Sequence, residues 1–447
     1  MLGDMRPSRC ASVALLVVSV HACAKSSDSP SSKPPDEAAG SKSIGPDTAS
    51  GPATARSAPA AQWYRVAFAP EDSPEIPIYL QLPAIGASGT GKVVNGQYQA
   101  ECDAVWSGRD LTASFPIYHA SIHATADAQS QLRGTWQVAS KAWGSSAGPV
   151  PVRASPVDGP APEQRFPGES MPGEPIDLGA ATTVWRAVLP ESGTAKITLR
   201  QQAPGVLDAT VLFPTGNVVY LAGNGRGKEI RLSALVGLSL YLLTAEIDAG
   251  KKTLTGKWRS GPGLEWREPF KARRGEDFAV AVGVKTSKRD QLFSMPQLAR
   301  YDGKPLIVEV GGTWCEACKH AAAALRSIYD REHARGLEIV TLIYEFTDDT
   351  AYNKKQADAF KAASKLPWEV IPVDGSVDRA GEIIPEGLEG VDASGFPITL
   401  FVNRDGSIQA VHASFAGPEQ PDEHRRWVEE YEEKAAALLA GGKGAAR

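Results

Sequence analysis

From residue 62 to about residue 274, apolar and polar positions alternate with a period of two. Ile76, Ile78, Leu80 and Leu82 share one face, as do Tyr118, Ala120, Ile122 and Ala124, and later Ala195, Ile197 and Leu199. That period belongs to half-buried β-strands. Val93-Val94-Asn95-Gly96 ends one run on an Asn-Gly pair, the pair favoured for a two-residue hairpin turn. Pro214-Thr215-Gly216-Asn217 reads as another turn. Short strands with frequent turns predict antiparallel rather than parallel sheets. The pattern changes past residue 304. An apolar run at 306–310 predicts a buried strand, and 320–333 a helix with Ala322, Leu325 and Tyr329 on one stripe. Strands are expected at 337–344, 397–402 and 407–412, and helices at 354–365 and 422–439. The order β-α-β-α-β-β-α predicts a central sheet covered by helices.

The period-two region reads as two similar halves. Trp63 and Trp136 are 73 positions apart, and so are Trp185 and Trp258. Leu132-Arg133-Gly134-Thr135-Trp136 matches Leu254-Thr255-Gly256-Lys257-Trp258, and Gly108-Arg109-Asp110-Leu111 parallels Gly227-Lys228-Glu229-Ile230. A tandem duplication of an antiparallel β-sandwich or barrel unit is expected, joined by a Pro/Gly-rich connection at 148–175.

A chain of 447 residues is too long for one core, so two or three domains are expected. The pattern places β-rich repeats at 62–158 and 176–274 and an α/β domain at 290–441. A net charge of −5 gives no basic footprint for nucleic acid. Five cysteines do not make a disulfide framework. Cys102, alone in the β region, reads as a small buried hydrophobe. His119 and His123, four residues apart on one strand face, would be roughly 13 Å apart, too far to share a metal ion. No motif assigns the β region an activity, so docking, spacing or shielding is its default role.

The first nine residues carry Arg6 and Arg9, and ten largely apolar residues follow at 11–20. Ten residues are too few to span a bilayer but fit a signal-peptide core, expected here at 1–22. The run ends in Val20-His21-Ala22-Cys23, which resembles a bacterial lipoprotein signal. The resemblance implies that Cys23 is acylated and holds the protein to a membrane through its lipid, and that Cys10 is cut away. Ala24, where an aspartate would favour the inner membrane, implies the outer membrane. Residues 25–61 are rich in Ser, Pro, Ala, Gly and Asp, so 23–61 is expected to be a flexible linker behind the anchor.

The chemistry concentrates in Gly311-Gly312-Thr313-Trp314-Cys315-Glu316-Ala317-Cys318, a CxxC between a strand and a helix. Together with Lys304-Pro305-Leu306-Ile307-Val308 and the stretch from Gly395-Phe396-Pro397 through Asn403-Arg404-Asp405-Gly406, it resembles the TlpA/ResA branch of the thioredoxin superfamily. These are bacterial extracytoplasmic thiol–disulfide oxidoreductases. The resemblance covers about residues 290–440. A thiol at a helix start sits beside unpaired N–H groups and the positive end of the helix dipole, which favour the attacking thiolate. Cys315 is therefore the expected nucleophile and Cys318 the resolving thiol. The resemblance implies that Glu309 is a buried proton acceptor for Cys318, and that Pro397 is a cis-proline facing the disulfide. It implies that Trp314 packs beside the nucleophile, with Phe396 next to Pro397. Glu316 and Ala317, between the cysteines, tune the thiol. The expected cofactor is none beyond the Cys315–Cys318 disulfide. Expected partners are client proteins with thiols or disulfides and an upstream membrane thiol donor. The stretch 371–392 is longer than a minimal thioredoxin needs and reads as an access-shaping or surface insertion.

Other uses of a CxxC fit less well. Haem attachment needs histidine after the second cysteine, and Lys319 stands there. Zinc needs two more ligands, and only His320 is near. A peroxiredoxin-like peroxidase is the enzymatic alternative, although its reactive cysteine usually follows Pro and Thr rather than tryptophan. A tethered envelope-binding protein, with the β repeats as the working part, is the other.

Overall fold

The structure is a computed structural model that describes residues 61–139, 149–248, 250–280, 296–376 and 396–441. The expected signal, Cys23 and the linker lie outside these residues, as do Gly395 and most of the stretch 371–392.

Eight strands, from β1 (Gln62–Phe68) to β8 (Val150–Val157), pair antiparallel in chain order and close where β8 meets β1. A second eight, from β9 (Thr182–Leu189) to β16 (Trp266–Gly275), close in the same way. Of the two expected architectures the barrel is the one formed, twice, with the same strand number and order. Eight strands enclose a lumen that side chains just fill. The matched tryptophans occupy matched strands. Trp63 and Trp185 lie on the first strand of each barrel; Trp136 and Trp258 lie on the seventh, β7 (Leu132–Val138) and β15 (Thr253–Gly261). Trp136 is buried edge-on to Phe68 and Phe115, and Trp258 edge-on to Phe213. The shared glycine two residues earlier has a steric reason. A Cβ on Gly134 would overlap the His123 carbonyl, and one on Gly256 the Thr244 carbonyl. Backbones approach there too closely for any side chain.

Two expectations for this region are corrected. The connection at 148–175 begins with β8, the strand that closes the first barrel. Its prolines, Pro151 and Pro156, sit near the strand ends, where a missing N–H costs least. The rest of the connection is packed: Phe166 and Met171 join the first barrel's core, and buried Arg165 donates to Asn95 and Ser233. His119 does not lie on a strand. Pro116 starts a tight turn, and His119 ends it at φ 49° before β6 (Ala120–Ala126) begins. Its ring lies 5.2 Å from that of Tyr352, whereas His123 stays exposed and bonds Thr112 and Ser121. Cys102 is a free, buried core residue, and burial pushes its thiol up to about 12.

The C-terminal α/β region runs β17 (Leu306–Gly311), α1 (Glu316–Glu332), β18 (Glu338–Glu345), α2 (Thr350–Ala363), β19 (Glu369–Ser376), β20 (Ile398–Val402), β21 (Ile408–Ala413) and α3 (Pro421–Leu439). The sheet order is β19-β18-β17-β20-β21. β17 is central, parallel to β18 and antiparallel to β20. Ile307, Ile339, Ile343 and Phe401 pack with Ala321, Leu325, Phe360 and Tyr431 of the three helices. β19 corrects the reading of 371–392 as insertion, because its first part is an edge strand. Pro372 lies within this strand, and an edge strand tolerates proline.

Candidate active site

The chain leaves β17, buried along its whole length, through Gly312 and Thr313 and enters α1 at Cys315. Cys315 is the N-cap. Its Sγ accepts from the Cys318 N–H at 3.1 Å, so one of the helix's unpaired donors points at the first sulfur. The two cysteines are joined by a disulfide. Both are buried: Cys315 is 6% exposed and Cys318 1%.

Position 311 is glycine for a steric reason. A Cβ there would lie 2.8 Å from Cys318 Sγ. Gly311→Ala is therefore expected to displace Cys318 or the strand and to cost about 1–3 kcal/mol, measured by urea unfolding of the oxidised protein.

Glu309 shares Gly311's strand face, two residues earlier, and so lies under the start of α1. It is fully buried. Its Oε2 accepts from the Thr341 hydroxyl at 2.9 Å, which in turn accepts from the Trp368 indole at 3.0 Å; Oε1 has no partner. Burial pushes the carboxyl up to about 8, against the weaker opposing effect of the Thr341 bond. It is held neutral over most of the physiological range and can exchange a proton near it.

The Phe396–Pro397 bond is cis. Phe396 packs in one apolar cluster with Cys315, Cys318 and Ile398, against which Trp314 and Ala317 also lie. The Trp314 ring is edge-on to Phe396 at 5.6 Å and tilted 4.8 Å from Phe346, and its Nε1 donates to the Tyr344 carbonyl.

Three partners of this turn were not read from the sequence. Glu345, 2% exposed, accepts from both the N–H and the hydroxyl of Thr313 at 3.1 and 2.7 Å, and burial pushes it up to about 7. An acid closing an apolar strand beside the CxxC strand was a visible signal for it. Tyr98 and Tyr118, from the first barrel, reach Glu316 and Lys319, and nothing in the local sequence announces that contact. Among the described residues, no group of three or more His, Cys, Asp or Glu side chains could hold a metal ion.

No family model matches the chain. It is 28% identical over 123 residues to an uncharacterized protein of Haemophilus influenzae, covering 28% of this chain and 72% of that one. It is 27% identical over 113 residues to the thiol-disulfide oxidoreductase ResA of Bacillus thuringiensis, covering 25% of this chain and 56% of ResA. It is 24% identical over 124 residues to the tryparedoxin of Trypanosoma brucei, covering 27% of this chain and 76% of that one. The chain thus spans just over half of ResA's length, and each match is about the size of the α/β region alone. Over that part of its length, the chain is similar to thiol–disulfide oxidoreductases of the thioredoxin superfamily.

Proposed function

We propose that the protein is an extracytoplasmic thiol–disulfide oxidoreductase, held to a membrane through Cys23, that exchanges disulfides with client proteins. The observation that carries this reading is the Cys318 N–H directed at Cys315 Sγ on the first turn of α1. That donor and the helix dipole stabilise a thiolate at Cys315 once the disulfide is reduced. In the reducing direction, the Cys315 thiolate attacks a client disulfide, forms a mixed disulfide and releases one client thiolate, which takes up a proton. Cys318 then gives its proton to Glu309, in the fraction of molecules whose carboxyl is ionised, and attacks Cys315 Sγ. The Cys315–Cys318 bond forms, the second client sulfur leaves, and the client has gained two electrons. An upstream dithiol, proposed to be membrane-bound, restores the reduced pair. No cofactor is required. The N-terminal signal and linker composition supports the location outside the cytoplasm.

The test is insulin reduction under limiting dithiothreitol, run beside a peroxide-consumption assay. The proposal expects insulin B-chain precipitation well ahead of dithiothreitol alone. Rapid peroxide consumption with insulin left intact would support a peroxidase and sink this reading.

A further inference from the structure

The first turn of α1 is not left to solvent or to clients on all sides. Glu316 directly follows Cys315, and as a carboxylate it opposes a thiolate there. Its Oε2 meets Lys319 Nζ at 3.2 Å, and its Oε1 meets the Tyr98 hydroxyl at 3.3 Å and His320 Nε2 at 3.8 Å. Tyr98 opens β4 (Tyr98–Ser107) of the first barrel. Lys319 Nζ lies 3.3 Å from the ring centroid of Tyr118, from the same barrel. The second barrel closes over the same point. The turn between β13 (Glu229–Val236) and β14 (Ser239–Ile247) places Gly237 so that a Cβ would lie 3.3 Å from both the Trp314 carbonyl oxygen and the Tyr118 ring. Glu316 and Lys319 side chains are 15% and 20% exposed.

Burial raises Glu316, but Lys319 and His320 outweigh it and hold the carboxyl below its usual range, so it is ionised at neutral pH. Burial, then Glu316 and Glu419, keep Tyr98 protonated, and it donates to the Glu316 carboxylate. A cation over an aromatic face and a hydroxyl on a carboxylate are both directional contacts. They fix where the Glu316 and Lys319 charges sit on the first turn of α1.

We propose that Tyr98 and Tyr118 are positioning residues of the thiol site, holding the Glu316–Lys319 pair and through it setting the acidity of Cys315. This rests on the thiol–disulfide reading, and it gives the first barrel a part in the active site instead of a spacer's role. Losing the Tyr98 hydroxyl leaves the Glu316 charge less dispersed beside the sulfur, and losing the Tyr118 ring frees Lys319 to leave. Both changes make Cys315 less acidic.

The experiment titrates the reduced full chain in detergent, following thiolate absorbance and the pH dependence of iodoacetamide alkylation at Cys315. Glu316→Gln is expected to lower the Cys315 midpoint and Lys319→Met to raise it, each by about one pH unit. Tyr98→Phe is expected to raise it by about half a unit in the wild-type background, and to have no effect in Glu316→Gln. Tyr118→Leu is expected to raise it likewise, and to have no effect in Lys319→Met. If the tyrosine variants leave the midpoint unmoved, or shift it equally in both backgrounds, the barrel only packs against the helix and the proposal fails. The readout is the thiol itself. A chain that failed to reduce insulin would still report on this proposal, so the two failures are distinguishable.

Discussion

The Cys315→Ser variant is expected to lose insulin reduction to the background rate, a fall of at least about 10³-fold, while Cys318→Ser stops after the first step. The asymmetry follows from placement. Cys315 is the N-cap, accepts a helix N–H and is the more exposed of the two cysteines. Cys318 lies one turn inward over Gly311, at 1% exposure, where a client sulfur reaches it poorly. Reduced Cys318→Ser should therefore form a mixed disulfide with a client through Cys315 and hold it. The species is seen as a dithiothreitol-sensitive band on a non-reducing gel. Cys315→Ser should form none. Equal trapping by both variants would mean that the sulfurs are interchangeable, and the helix-start argument would be wrong.

How much of this was legible differs from one part of the chain to another. The barrels were legible as a repeat because period-two alternation and the Leu-x-Gly-x-Trp match are local signals, and the glycine turned out to mark a close backbone approach. Closure was not legible, since nothing along β1 or β8 states that the first strand meets the eighth. Both prolines of β8 argued for a connection and were outvoted by Val150, Val152 and Ala154, which face the core. The site was legible where its residues are neighbours in sequence, as in Trp314 to Cys318, or stand out as a polar residue in an apolar run, as Glu309 does. Tyr98 was illegible because it meets Glu316 across 218 positions and reads locally as one more inward strand residue. Long-range contacts of that kind are set by how domains pack, which no window of sequence reports.

Glu309→Gln is expected to give a protein that is more stable above neutral pH and slower in exchange. With a folded pKa of about 8 against an ordinary 4.5, the buried carboxyl keeps a proton that the unfolded chain has released. Its contribution is present in full below pH 4.5 and is lost as pH rises toward about 8. The slope is about 1.4 kcal/mol per pH unit, because the folded state binds more protons through that window. Gln keeps the acceptor for the Thr341 hydroxyl but carries no proton to lose. The variant should therefore gain on the wild type steadily from pH 5 upward, reaching about 4 kcal/mol by pH 8. Urea unfolding of the oxidised proteins at several pH values measures this with the cysteines silent. Glu345, raised to about 7, bends both curves alike, so the difference between them isolates Glu309. A flat difference would mean that Glu309 titrates as an ordinary carboxylate and cannot store the proton that Cys318 must give up. The same substitution should slow release of the mixed disulfide by about 10²-fold or more, the usual scale of a lost proton acceptor. Stability gained and rate lost at one side chain would separate a working acid from a structural one. A structural carboxyl accepting from Thr341 has no reason to remain where its ionisation costs the fold.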